Sequence, residues 1–334
     1  MNKKLKIIAE AGVNHNGKLK NCFKLIDVAS KAGADYIKFQ AYKTEELVLN
    51  NSPLAKYQKK NIKKNISQYQ LLKKYELTKS LYKKVIDYSK KKKIKILFSV
   101  FDEESLKILL DLNIHEFKIP SGEIDNFLLL KRISKKAKKV FLSTGMSSIK
   151  TIRYSFNYLQ KNGLKKKDIV LLHCTSSYPT NLKEANMLAI NHLKKLTPYV
   201  GFSDHTNNFE SAILSVALGA ILIEKHITLS KKMPGPDHIA SIEPTKFIEY
   251  VKYLKNAEIA LGKNIKKIYH SEISNMKIVK KCKVAKKRIN KNERFTEDNL
   301  TTKRPMIGIP SFDILKILGK KASKNFDKNE IIKF

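Results

Sequence analysis

The sequence predicts a (β/α)8 TIM barrel, an α/β fold, followed by a small C-terminal domain. Eight short apolar runs alternate with amphipathic stretches over roughly the first 265 residues. Most neighbouring runs lie roughly 20 to 30 residues apart, the length of one strand with its helix. No Gly-x-Gly-x-x-Gly motif follows any run, which disfavours the alternative of a doubly wound open sheet.

Each predicted strand is a short run dominated by apolar residues. The eight runs are Lys6–Glu10, Tyr36–Gln40, Ile94–Ser99, Glu116–Ile119, Val140–Ser143, Ile169–His173, Val200–Ser203 and Ile221–His226. After the first run, one buried helix face is indicated by Leu19, Cys22, Phe23, Ile26 and Ala29, which follow i, i+3, i+4, i+7 spacing. Gly33 stands where that helix should end.

The last helix of the barrel is predicted to follow the eighth strand. Pro244 can occupy its first turn, and Gly262 stands where it should end. Between them Phe247, Val251 and Leu254 form an apolar stripe at helical spacing.

Three further segments complete the predicted organisation. The interval between the second and third strands is long, and its extra part, Glu45–Ser80, is predicted to be a polar excursion with one helix of its own. Residues 1–268 are assigned to the barrel domain, and the polar residues 269–280 to a linker. Residues 281–334 are assigned to a small, loop-rich domain that is marginal by itself and needs a larger body to pack against.

The large positive net charge does not by itself indicate a nucleic-acid-binding protein. The chain carries 67 Lys+Arg against 30 Asp+Glu, a formal net charge of +37, but only five of the basic residues are arginine. Proteins that read nucleic acids rely on the bidentate arginine fork, whereas these lysines are spread along the whole chain. We therefore expect a solvated lysine surface that steers anionic substrates, and no nucleic-acid partner.

Cysteine usage and hydropathy indicate a cytoplasmic protein without a membrane segment. Cys22, Cys174 and Cys282 are far apart, odd in number and form no CxxC pair, so a disulfide framework or structural zinc site is not expected. The longest nearly apolar run, Ala212–Ile223, is too short to span a bilayer.

Polar and charged residues occupy seven of the eight predicted C-terminal strand ends, the ends that face the active site in a barrel. The set comprises Glu10, Asn16, Lys38, Gln40, Lys118, Ser121, Glu123, Ser143, Thr144, His173, Ser176, Tyr178, Ser203, His205, Glu224 and His226. Each alone has an ordinary structural explanation: a strand-end Ser or Thr commonly caps the next helix, and Glu10 could be a buried ion-pair partner. Their coincidence at one rim indicates an active site.

Two features of this set suggest a chemistry. His205 and His226 end neighbouring strands about 5 Å apart, so both imidazoles can reach one metal ion and leave positions open for water and substrate. Lys38, Lys118 and the serine hydroxyls can hold a phosphate and a carboxylate at several points. Together they favour condensation or aldol-type chemistry on a phosphorylated small acid.

At these residues the sequence resembles the N-acetylneuraminate (sialic acid) synthase family, which includes legionaminate synthases. The matching stretches run in order from Ile8 to Pro305: IAEAGVNHNG, ADYIKFQAYK, FKIPSGE, LSTGM, LLHCTSSYP, GFSDHT, IEKHIT, MPGPDHIASIEP and VAKKRINKNERFTEDNLTTKRP. The C-terminal residues resemble the SAF (antifreeze-like) domain of these enzymes.

The resemblance implies a phosphoenolpyruvate-dependent transferase that forms a C–C bond. Its substrates are phosphoenolpyruvate, an N-acetylmannosamine-type sugar and water, and its products are a nine-carbon 2-keto sugar acid and phosphate. The alternative acceptor is 2,4-diacetamido-2,4,6-trideoxymannose, which gives N,N'-diacetyllegionaminate. The family further implies a divalent metal, Mn²⁺ or Mg²⁺, and a homodimer with a swapped C-terminal domain.

The resemblance also implies roles for individual residues that match the family's motifs. His205 and His226 match the metal ligands, and the phosphoenolpyruvate contacts are matched by Lys38, Lys118, Ser121, Ser143 and Ser203. The sugar contacts are matched by Gln40, Glu123, Tyr178 and Asp237, and Arg304 matches an arginine that the partner's SAF domain inserts over the sugar. The chain departs from some relatives at Asn16, where Glu or Gln is found, and at Ser176, where a phosphate-contacting Asn is found. Met306 replaces the usual Gly after the Arg304–Pro305 pair.

The expected mechanism joins C3 of phosphoenolpyruvate to the aldehyde carbon of the open-chain sugar. Water then adds at C2 while Glu123 assists proton transfer, and phosphate leaves by C–O cleavage. Lys38 and Lys118 would orient the reacting carbons. Two other readings stay open: a related barrel enzyme that uses a phosphorylated sugar, and a non-catalytic carbohydrate- or nucleic-acid-binding protein.

Overall fold

A computed structural model describes residues 4–62 and 66–333 of the chain. The chain divides into two compact units, Met1–Gly262 and Lys263–Phe334. The described residues contain no helix that is both long and apolar enough to cross a membrane.

The first unit is a closed barrel of eight parallel strands in sequence order, with β1 pairing both β2 and β8. The strands are β1 Lys6–Gly12, β2 Tyr36–Ala41, β3 Lys95–Val100, β4 Glu116–Ile119, β5 Lys139–Ser143, β6 Ile169–His173, β7 Val200–Asp204 and β8 Leu222–His226. The predicted fold class is confirmed, and each predicted strand overlaps an observed one with its ends displaced by no more than two residues.

Helices surround the barrel. They are α1 Leu19–Ala32, α2 Thr44–Leu47, α3 Lys56–Ile62, α4 Gln68–Tyr75, α5 Lys79–Lys91, α6 Glu103–Asp111, α7 Phe127–Lys136, α8 Ile149–Lys161, α9 Ala189–Lys194, α10 Glu210–Ala217 and α11 Pro244–Leu261. Gly33 ends α1 with a left-handed φ of 76°, a conformation that glycine adopts without a Cβ clash. Pro244 begins α11, as its fixed φ favours.

Strand alternation builds the barrel interior in layers. The lower layer is apolar and includes Ile8, Tyr36, Leu97, Phe141 and Leu222, all buried in one cluster. Because successive side chains point to opposite faces, the residue two positions further along each strand enters the interior one layer higher. Those residues are Glu10, Lys38, Ser99, Ser143 and Glu224, so a polar layer lies directly above the apolar one.

The excursion after β2 differs from its prediction. It forms three short helices, α2, α3 and α4, rather than one, and residues 63–65 lie outside the described part. Ser67 begins α4 with a capping box to Gln70. Leu71 and Tyr75 on α4 pack with Tyr42, so the excursion has a small core of its own that its polar composition concealed.

The second unit contains a helix where a linker is predicted. This helix, α12 His270–Val279, exposes nearly all of its residues and carries a capping-box glutamate, Glu272. A search for buried stripes therefore could not find it. Strands β9 Cys282–Ala285 and β10 Leu300–Lys303 then pair antiparallel and pack with a separate small core.

Candidate active site

A cavity of about 380 Å³ opens at the C-terminal ends of the barrel strands. Every strand contributes to its wall, either directly or through the loop that follows. Ten of the predicted site residues line it: Lys38, Gln40, Lys118, Ser121, Ser143, Ser176, Tyr178, Ser203, His205 and His226. The structure thus gathers side chains that are scattered along most of the barrel sequence.

A larger cavity, about 600 Å³, lies near the N-terminal strand ends and offers less chemistry. Most of its wall is apolar, and both charged side chains already have partners. Glu258 accepts the backbone N–H of Leu5 at 2.6 Å, and Lys194 donates to the Leu218 carbonyl oxygen. The convergence of polar groups that marks an active site is therefore found at the C-terminal end.

Two lysines and two glutamates meet at the floor of the 380 Å³ cavity. Lys38 Nζ lies 2.9 Å from Glu10 Oε2 and donates to Ser99 Oγ at 2.7 Å. Lys118 Nζ donates to both carboxylate oxygens of Glu224 at 2.8 Å, and Lys38 Nζ lies 3.7 Å from Glu224 Oε1. All four charged side chains are at most 3% exposed, so they form a buried network with balanced charge.

Burial shifts the protonation of this network. It raises the pKa of Glu10 to about 7, because the Lys38 ammonium offsets only part of the lost hydration. Burial would also raise the pKa of Glu224, but Lys118 and Lys38 outweigh it and hold that pKa well below its ordinary range. For Lys118, burial lowers the pKa and Glu224 offsets part of the effect. Glu10 therefore changes charge near neutral pH.

The two predicted metal ligands stand together above this floor. The ring centroids of His205 and His226 are 5.5 Å apart, and Tyr178 packs 4.3 Å from His205. His205 Nδ1 donates to the Thr175 carbonyl oxygen at 2.7 Å, which leaves Nε2, 3.2 Å from Ser203 Oγ, with its lone pair in the cavity. Burial lowers the pKa of His205 to about 4 and that of His226 well below its ordinary value.

This donor set fits a divalent cation. Both imidazoles are neutral at pH 7, and a backbone carbonyl orients one of them, as is usual for metal-bound histidine. Among residues 4–62 and 66–333, no three His, Cys, Asp or Glu side chains are grouped as a ready-made metal site. The two rings would therefore supply two ligands and leave the other positions to water and substrate oxygen.

Three residues of the barrel domain with a predicted substrate or proton-transfer role do not line the cavity: Glu123, Asn16 and Asp237. Glu123 ends a short 3₁₀ turn, Ser121–Glu123, and its carboxylate accepts from Asn126 Nδ2 at 2.8 Å. Asn16 and Asp237 belong to the loops that follow β1 and β8 and also lie outside the cavity wall. Arg304 is an exposed residue of the second unit, and its role at the site stays a prediction.

Asn16 instead ties these two loops together. Its Nδ2 donates to the Pro234 carbonyl oxygen at 2.9 Å, so its Oδ1 faces His238 Nε2 at 3.1 Å. The other ring nitrogen of the fully buried His238 lies 2.7 Å from Thr228 Oγ1. The hydrogen bonds of His238 with Asn16 and Thr228, referred to below as the clamp, therefore also hold the residue next to His238 in the chain. That residue is Asp237, whose pKa is raised by burial to about 6.

The family assignment follows from comparison with known sequences. The sequence model of the NeuB family matches residues 25–266, and that of the SAF domain matches residues 282–334. The chain belongs to the NeuB family. The resemblance inferred from the motifs is thereby confirmed.

Relatives of this NeuB family protein align over nearly its whole length. An N,N'-diacetyllegionaminic acid synthase from Campylobacter jejuni is 46% identical over 332 residues, 99% of each chain. A protein of the same name from Legionella pneumophila is 35% identical and covers 96% of this chain and 90% of its own. The crystal structure of an N-acetylneuraminic acid (sialic acid) synthetase from Leptospira borgpetersenii superposes with a TM-score of 0.71 at 33% identity, covering 82% of this chain and 91% of that one.

Three polar residues on the cavity wall of this NeuB family member had no specific role predicted: Glu10 and Glu224 were only placed at the rim, and Ser99 was not singled out. The signal was present in the strand alternation. Each stands two positions after an inward-facing apolar residue, in the same layer as Lys38 and Lys118. A layer-by-layer alignment of the predicted strands would have grouped these acids with the lysines.

Proposed function

We propose that the protein condenses phosphoenolpyruvate with an N-acylated mannose-type sugar to give a nine-carbon 2-keto sugar acid and phosphate. The observation that carries the proposal is the joining of two ammonium groups, several serine hydroxyls and two neutral imidazoles around one 380 Å³ cavity. Membership of the NeuB family supports the same reaction class.

Phosphoenolpyruvate would bind over the charged floor. Lys38 and Lys118 supply the positive charge, and the buried position strengthens their attraction for the carboxylate and phosphate. Ser121 Oγ already accepts the backbone N–H of Gly145 at 3.1 Å, so its own hydrogen can be donated to a phosphate oxygen. Ser143 lines the same wall and supplies a further hydroxyl.

The acceptor sugar would occupy the space between this floor and the cavity mouth, next to Gln40 and Tyr178. Of the two acceptors that the sequence leaves open, we favour 2,4-diacetamido-2,4,6-trideoxymannose. The 46% identity to a relative named N,N'-diacetyllegionaminic acid synthase, over 99% of both chains, supports this choice. N-acetylmannosamine is the second candidate, supported by the 33% identity to the Leptospira synthetase.

We propose that His205 and His226 hold a divalent metal, Mn²⁺ or Mg²⁺. When bound, the ion supplies a Lewis acid for the aldehyde oxygen of the acceptor. His205→Ala and His226→Ala should each abolish turnover, and either variant retaining activity after chelation would contradict the assignment.

Glu10 takes the proton-transfer role in this proposal, in place of Glu123. Its carboxyl lines the cavity, its Oε2 is buried without a well-directed hydrogen bond, and its pKa of about 7 suits a general base at neutral pH. The π electrons of phosphoenolpyruvate form the bond from C3 to the aldehyde carbon, and water adds at C2 as Glu10 accepts its proton. Cleavage of the bond between C2 and the phosphate ester oxygen then releases phosphate, and the C2 hydroxyl gives up its proton to become the ketone. The proton taken up by Glu10 passes to the former aldehyde oxygen, which becomes a hydroxyl.

Two experiments test the reaction. In ¹⁸O-labelled water, the label should enter the keto acid and not the released phosphate; labelled phosphate would indicate P–O cleavage and contradict the route. Competition between the two acceptors, with phosphoenolpyruvate and Mn²⁺ in one assay, should show preferential consumption of the diacetamido sugar.

We also propose a homodimer in which Arg304 of one subunit completes the partner's site, supported by the SAF match and the motif resemblance. Mixing Lys118→Ala protein with Arg304→Ala protein should restore about a quarter of the wild-type activity at low sugar concentration. The estimate follows from random subunit exchange, because half of the dimers are then mixed and each has one intact site. No recovery after verified exchange would indicate a site built within one chain.

A further inference from the structure

A second buried ionic cluster lies on the opposite face of β7 and β8 from the cavity. Lys225 Nζ contacts Asp204 Oδ2 at 2.9 Å, and their side chains are 3% and 0% exposed. Tyr250, on α11, donates its hydroxyl to the same carboxylate oxygen at 2.8 Å. Lys225 Nζ also lies 5.4 Å from the centre of the Tyr250 ring, so the three side chains form one closed group.

This group encloses the backbone on both sides of His205. The other carboxylate oxygen of Asp204 accepts from both the backbone N–H and the hydroxyl of Thr206, at 2.9 and 2.7 Å. The Lys225 ammonium donates in turn to the carbonyl oxygen of Thr206. The residues before and after His205 are therefore held by a single lysine, and that lysine is the residue directly before His226.

Because of the strand register, the contact between Asp204 and Lys225 affects the positions of both imidazoles. Asp204 lies opposite Lys225 in the β7–β8 pairing, and Ser203 lies opposite Glu224 one position earlier. Side chains alternate along a strand, so a fixed outward pair, Asp204 and Lys225, also fixes the inward direction of the neighbouring side chains, His205 and His226. A slip of one residue would turn the histidines away from the cavity.

We propose that Asp204, Lys225 and Tyr250 are positioning residues that set the separation of His205 and His226. The inference rests on the proposed function in one respect, namely that the two histidines bind a metal. The alternative is a purely stabilising role. Buried ion pairs are poor sources of stability compared with apolar residues of similar size, and their best-attested use is to specify register.

The experiment measures Mn²⁺ affinity by calorimetric titration of metal-free full-length protein, with the thermal midpoint of unfolding recorded beside it. The variants are Lys225→Met, Lys225→Arg and Tyr250→Phe. Tyr36→Phe is the matched control, because Tyr36 also donates to a carboxylate, Glu116, at 3.0 Å, but at the start of β2. Both tyrosine variants thus remove one phenolic hydrogen bond from the barrel.

Loss of an outer partner of a ligating histidine typically weakens metal binding about 10- to 100-fold. Lys225 contacts neither imidazole and acts on both through the backbone, so we expect Lys225→Met to fall at the lower end of that range, about tenfold, and Lys225→Arg to restore most of the affinity. Tyr250→Phe should weaken binding by about threefold, a smaller part of the same effect, while Tyr36→Phe leaves it unchanged even if its thermal midpoint falls equally.

Two results would overturn the positioning role: Lys225→Met binding Mn²⁺ like the wild type, or Tyr36→Phe weakening binding as much as Tyr250→Phe. If Lys225→Met does not fold, the comparison of the two tyrosine variants decides. Wild-type protein that binds no more Mn²⁺ than His205→Ala would instead refute the metal assignment in the proposed function, and the inference with it.

Discussion

Removing Lys118 should show how strongly the free energy of unfolding depends on the balanced charges at the cavity floor. Lys118→Met deletes the ammonium that donates to both oxygens of Glu224. Breaking a buried ion pair by removing one partner costs about 3–5 kcal/mol, because the remaining charge is left without hydration. Glu224 keeps Lys38 at 3.7 Å and the Ser203 hydroxyl at 3.0 Å, so the lower end, about 3 kcal/mol, applies.

The assay is urea unfolding at pH 8 and pH 5. Without Lys118, the pKa of Glu224 rises, so protonation at the lower pH should relieve part of the loss. Adding Glu224→Gln removes the uncompensated charge and should recover most of the stability, while turnover stays abolished in both variants. A single variant as stable as the wild type, or a double variant less stable than the single one, would refute this account of the floor. Lys79→Met, which breaks the exposed Lys79–Asp111 pair, is the control.

Three further predictions concern titration and loop geometry. Burial raises the folded-state pKa of Glu10 from its ordinary value of 4.5 to about 7, so the contribution of this group to stability is present below pH 4.5 and is lost as the pH rises through 7. Between pH 5 and 8 the wild type should therefore lose free energy of unfolding relative to Glu10→Gln, by about 3 kcal/mol at most; parallel curves would contradict the shift. If the ionised form of Asp237 binds the sugar, the sugar KM should rise as the pH falls through about 6, and this dependence should vanish in Asp237→Asn. His238→Ala should raise the sugar KM several-fold without changing that of phosphoenolpyruvate, and Asn16→Ala should act in the same direction; an equal rise in both KM values would refute a local clamp.

The length and spacing of the short apolar runs made the barrel predictable. A run such as Ile169–His173 is buried throughout and too short for a core helix, so its assignment as a strand followed from length and position. The site residues at the strand ends followed in turn, because a closed parallel barrel places all of those ends at one rim.

The rest depended on contacts that a linear pattern does not contain. Helix α12 buries none of its residues, so it lacks the apolar stripe by which the other helices were recognised. Asn16 has the polar character of a substrate contact, but its partner, His238, is more than two hundred residues away and could not be anticipated. Glu123 lies outside the cavity wall, and its carboxylate accepts a hydrogen bond from Asn126, a local contact that sequence spacing allows but does not require.

The balanced floor of the cavity has a consequence for how an anion enters. Lys38 and Lys118 are already paired with Glu10 and Glu224, so an incoming anion must compete with these carboxylates for the two ammonium groups. Displacement of the Glu10 carboxylate from Lys38 would leave it free to accept the proton of the attacking water, the role proposed for it above. Glu10→Gln protein should therefore bind phosphoenolpyruvate more tightly than the wild type while turning it over more slowly.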